Sequence, residues 1–111
     1  MKFRLGIIAL LLALLTACSE PLPEDKLIYA GDWRSQEMAL LILADGSVSY
    51  KRLKKGVTTS VNGPLQEFKG DSFVVGLGPI KTTFEVSEAP HEVDGTWQMV
   101  VDGVRLTKVS Q

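Results

Sequence analysis

Turn signals punctuate this chain so closely that short, hairpin-linked β-strands are what fits between them. Asp45-Gly46, Asn62-Gly63, Gly70-Asp71, Gly78-Pro79 and Asp102-Gly103 are dipeptides that favour tight turns. Lys54-Lys55-Gly56 adds a three-residue loop with glycine in the left-handed position. The runs between them are rich in β-branched and aromatic residues and carry no convincing helical period. A turn at Asp102-Gly103 pairs Val101 with Val104, Met99 with Leu106 and Trp97 with Lys108, leaving Val100, Gln98 and Thr96 on the other face. A turn at Asp45-Gly46 pairs Leu43 with Val48 and Leu41 with Tyr50. The strand over residues 38–44 is apolar on both faces, which places it centrally. Turns at Gly70-Asp71 and Gly78-Pro79 align Phe68 with Phe73 and Phe73 with Phe84. The Lys54 loop leaves its register open by one residue, and with it the face that Leu53 takes.

With the run around Trp33, about eight short strands result, and their edges must be hidden. The expected fold is all-β, a small antiparallel up-and-down barrel, with a two-sheet sandwich as the alternative. Leu41, Leu43, Tyr50, Phe68, Phe73, Phe84, Trp97, Met99 and Leu106 form the inward set. It is bulky enough to fill a barrel of about eight strands. Residues 87–95, which contain Pro90, read as the one long loop and the expected lid or contact element.

The N-terminus sets the location. Lys2 and Arg4 precede an almost unbroken apolar run over residues 5–15, too short to span a bilayer and followed by Thr16 and Ala17. Leu15-Thr16-Ala17-Cys18 resembles the lipobox of bacterial lipoproteins, although a cut after Ser19 also fits the small-residue rule. The resemblance implies that Cys18 carries lipid chains. It also implies that Ser19, in place of an aspartate, directs the protein to the periplasmic face of the outer membrane rather than retaining it at the inner one. Residues 1–17 are then a signal peptide, 18–26 a lipidated tether and 27–111 a single β domain. The tether is polar, stiffened by Pro21 and Pro23, and spans at most roughly 30 Å. Cys18 is the sole cysteine, which excludes an intramolecular disulfide.

Without Lys2 and Arg4 the mature chain is mildly acidic, about −3 by the residue counts, which argues against a nucleic-acid partner. His91 is the only histidine and has Glu88, Glu92 and Asp94 around it, a solvated loop rather than a metal site. No serine stands in a nucleophile-elbow context, so no catalytic residues, no metal and no cofactor are expected. Lys51, Arg52, Lys54 and Lys55 cluster at a hairpin tip, as a solvated turn or a contact with anionic headgroups. Gly31-Asp32-Trp33 resembles the Gly-x-Trp motif of lipocalins, which implies that Trp33 plugs one barrel end and that Arg105 covers it. The ligand or contact residues expected are Trp33, Tyr50, His91, Trp97 and Arg105. Three roles are weighed: a non-catalytic module contacting an envelope protein, a lipocalin-like carrier of a small apolar ligand and, last, an enzyme.

Overall fold

The computed structural model describes residues 19–109. Cys18 and the signal segment lie outside the described residues. A 3-10 helix over Glu24–Tyr29 leads into nine strands. They are β1 (Gly31–Arg34), β2 (Met38–Ile42), β3 (Ser47–Lys54), β4 (Val57–Lys69), β5 (Ser72–Leu77), β6 (Ile80–Phe84), β7 (Val86–Val93), β8 (Thr96–Val101) and β9 (Val104–Val109). One strand order runs through all nine, β6-β5-β4-β3-β2-β1-β9-β8-β7, with every pair antiparallel. The sheet curls into a half-barrel.

The C-terminal hairpin takes the expected register, Val101 opposite Val104 and Met99 opposite Leu106. Asp102 (φ 48°) and Gly103 (φ 79°) are both left-handed, the requirement of a two-residue turn that matches strand twist. Phe68 faces Phe73, and Phe73 faces Phe84, also as expected.

Three other turns differ. At Asp45-Gly46 the ladder pairs Leu40 with Tyr50 and Ile42 with Val48, one residue away from the expected register. The Asp45 carboxylate accepts the Ser47 N–H at 2.9 Å, and Leu43 N–H closes the loop on Ser47 O. That draws a third residue into the turn, and a one-residue slip exchanges the faces. Leu40 and Ile42 are therefore buried, while Leu41 and Leu43 point outward. Asn62-Gly63 makes no turn, because β4 runs straight through it. Asn62 instead accepts the Ser49 hydroxyl across the ladder at 2.8 Å, and a Cβ on Gly63 would lie 3.6 Å from the Gly76 backbone. The Lys54 loop tightens to two residues, with Lys54 opposite Val57 and Leu53 left exposed. Finally, most of the expected lid over residues 87–95 is edge strand β7, ending in a two-residue Asp94-Gly95 turn.

Two strands turn corners. β4 pairs with β3 as far as Pro64 and with β5 from Leu65 onward, with an irregularity between Leu65 and Glu67 in that second ladder. β6 runs into β7 through Glu85 alone, so the two ends of the strand order are consecutive in the chain. Asp102 holds this corner: its carboxylate accepts Glu85 N–H at 2.9 Å, and its own N–H donates to Glu85 O at 2.7 Å. Ser72 Oγ accepts the Val86 N–H beside it.

The concave face is filled. Trp33, Tyr29, Phe73, Phe84, Leu40, Ile42, Met99 and Leu106 are all essentially inaccessible to solvent. Three of these aromatics and the buried Tyr50 form a chain, Tyr29 to Phe73 at 6.2 Å, Phe73 to Phe84 at 5.3 Å and Phe84 to Tyr50 at 4.8 Å.

Candidate functional site

Trp33 is fully buried in the core. Its indole N–H donates to Tyr29 O at 2.9 Å, satisfying the one polar atom that its burial would strand. The strand register puts Lys108 opposite Trp33. The Lys108 ammonium lies 5.0 Å from the Trp33 ring and 5.5 Å from the Trp97 ring, within cation–π range of both. Burial pushes its pKa below the usual lysine value. Gly31 leaves space for this stem, since a Cβ there would come within 2.7 Å of Lys108 Cε. The cation beside Trp33 is thus Lys108. Arg105, expected in that place, is exposed and bonds Glu88 Oε2 at 2.9 Å and Gln98 at 3.3 Å.

His91 belongs to that same exposed group, with Nε2 3.7 Å from Glu88 and Nδ1 2.8 Å from Ala89 O. Among the described residues, no cluster of His, Cys, Asp and Glu could hold a metal ion. Tyr50 is buried in the core, and that burial raises its phenol pKa. Trp97 is half-buried against the core. The basic cluster divides by strand alternation. Lys51 is exposed, whereas Arg52 is largely covered and reaches Glu37 at 3.4 Å. Lys54 and Lys55 remain exposed at the β3–β4 tip. The four side chains make no single face.

The segment expected to be a free tether is seated on the domain. Ser19 donates its hydroxyl to Asp45 O at 2.6 Å, Leu22 N–H bonds Ala44 O at 3.0 Å, and the Leu22 side chain joins the core. The chain therefore enters the domain at the Asp45-Gly46 turn. The Lys54-Lys55 tip stands at the other end of β3, roughly 23 Å away by strand rise.

What the filled interior does not absorb is apolar surface on the outside. Leu41 and Leu43, 38% and 44% exposed, flank an open groove shared with Ala30, Gly31, Asp32 and Ala44. Asp32 is paired with Leu41 on one side and Val109 on the other, so Leu41 and the exposed Val109 stand in one outward row. Other open grooves lie along residues 20–26 with 65–68, residues 64–66 with 76–78, and residues 32–41 with 49–51. The sequence-based expectation had turned Leu41 and Leu43 inward and so missed this strip. Comparison with known proteins finds no family model, curated protein or solved structure that matches the chain.

Proposed function

We propose that this chain is an envelope lipoprotein, held by lipid on Cys18 at the periplasmic face of the outer membrane, and that its domain is a non-catalytic contact module. The carrying observation is the combination of a filled concave face with an apolar strip at Leu41, Leu43 and Val109 on the convex one. A carrier needs an interior volume of several hundred Å3 open to its ligand. Here Trp33, Phe73, Phe84 and Met99 occupy that space. An apolar strip left on the surface is what a protein partner covers. The half-barrel is read as a barrel closed at the Glu85 corner, supported by the Asp102 and Ser72 bonds there. The membrane anchor rests on Leu15-Thr16-Ala17-Cys18 and the apolar run before it.

The test separates module from carrier. The soluble domain from residue 19 onward is extracted with organic solvent and then titrated with a fluorescent fatty acid. We expect no co-purifying lipid and no saturable binding. One-to-one binding, lost when Met99 is replaced by a bulkier tryptophan, would transfer the assignment to the carrier.

A further inference from the structure

The geometry points to the β5–β6 hairpin tip, residues 77–80, as a second membrane contact that dips into the bilayer surface beside the lipid anchor; this rests on the lipoprotein reading above. Leu77 and Ile80 are directly paired across the turn, so their side chains share a face. They are 59% and 82% exposed, and Ile80 is the most exposed large apolar side chain among the described residues. Gly78 and Pro79, also exposed, complete an uncharged tip. From Ser72 to Phe84 the hairpin carries a single charge, Lys81, and no carboxylate. A positive side chain behind an apolar tip suits the boundary between acyl chains and anionic headgroups.

The position of Glu20 identifies the occupant. Glu20 lines one groove with Leu77 and Gly78, together with Pro64, Leu65, Gln66 and Gly76. Gln66 fixes the tip in place by donating to Gly78 O at 3.1 Å. Cys18 is two residues before Glu20 and so lies within about 7 Å of it along the chain. Acyl chains on Cys18 would therefore enter the membrane next to the one hairpin among the described residues whose tip carries no charge. The Lys54-Lys55 tip, the more obvious headgroup candidate by charge, stands at the far end of β3 from Ser19.

The experiment uses the full, lipidated chain in vesicles of phosphatidylethanolamine and phosphatidylglycerol. Acylation of the Cys18 sulfur leaves an introduced cysteine as the only reactive thiol. Ile80→Cys, Leu77→Cys and, as the distal control, Lys55→Cys each receive an environment-sensitive fluorophore. We expect labels at 80 and 77 to shift to the blue on reconstitution and to be several-fold less quenched by aqueous iodide than the label at 55. Equal quenching at all three positions in a sample whose mass shows acylated Cys18 would overturn this contact and leave the anchor standing. An unacylated Cys18 on a chain that washes off the vesicles would overturn both. Shielding of position 80 that rises with protein concentration in detergent, without vesicles, would assign the tip to a second copy of the chain instead.

Discussion

Tyr29 lies beneath Phe68 and Phe73, and burial, aided by the nearby Asp71 charge, pushes its phenol up to about 12. The folded chain therefore holds that proton more tightly than the unfolded chain, whose tyrosine titrates near ~10. The resulting stabilisation is complete below the unfolded value and is lost as pH climbs from there toward the folded one, about 2–3 kcal/mol in all. Urea midpoints should consequently fall more steeply above about pH 10 for the parent than for Tyr29→Phe. Parallel slopes would clear Tyr29 of the effect. Leu40 and Leu41 test the β2 register at the same scale. Leu40→Ala should cost about 2–5 kcal/mol, as a core truncation does. Leu41→Ala should stay within roughly 0.5 kcal/mol. The reverse order in thermal melts would restore the register read from the sequence. That register was not legible because β2 is apolar on both faces, so alternation carried no information there. The deciding contact, a carboxylate on the Ser47 N–H, was invisible to a count of turn residues.

The hairpins show which turn signals can be trusted. Asp102-Gly103, Gly70-Asp71 and Gly78-Pro79 act through backbone conformation, and the strand pairings drawn from them all form. Asp45 and Asn62 instead use their side chains, one to enlarge its turn and the other to bridge β3 and β4. β7 was legible in principle, since Asp94-Gly95 is the same kind of dipeptide as Asp102-Gly103. Pro90 and the surrounding acids made it read as a loop, yet an edge strand tolerates proline and is protected by charge. The Asp102-Gly103 turn also has two separable duties. Gly103→Val forces a β-branched residue to positive φ and should destabilise by at least about 1–2 kcal/mol. Asp102→Gly keeps the turn but strips the acceptor from Glu85 N–H, costing about 1–2 kcal/mol through the corner. Amide exchange distinguishes them. In Asp102→Gly, protection should fall at Glu85 and Val86 while the β8–β9 ladder keeps its own. Loss across both hairpins would mean that the corner and the turn are one unit.

At the scale of the whole molecule, the all-β antiparallel architecture was legible from turn spacing, and the way the chain enters the domain was not. Residues 19–26 look like a linker by composition, and one apolar residue, Leu22, converts them into part of the fold. Lys108 was passed over for a similar reason. Its role depends on which strand lies beside Trp33, and the β1–β9 pairing is the longest-range ladder in the sheet. Leu22→Asp should release residues 19–22, seen as a new protease-sensitive site before Pro23, with the rest of the domain about 1–3 kcal/mol less stable. On the lipoprotein reading, Cys18→Ser should leave the protein either unprocessed or washed from membranes, with the parent's near-ultraviolet dichroism. Retention of a processed Cys18→Ser chain on washed membranes would mean that something other than lipid holds it. The seated entry also changes the statistics of encounter. A globule on a slack leash tumbles, and a partner must wait for the correct face to come round. Held by lipid as proposed above, a globule bonded to its own leash at Ala44 and Asp45 would mainly spin about the membrane normal and glide sideways. Its search for a neighbour would then be a planar one with orientation already set, so that even a shallow strip such as Leu41 and Leu43 would meet a counterpart at a cost largely met in advance.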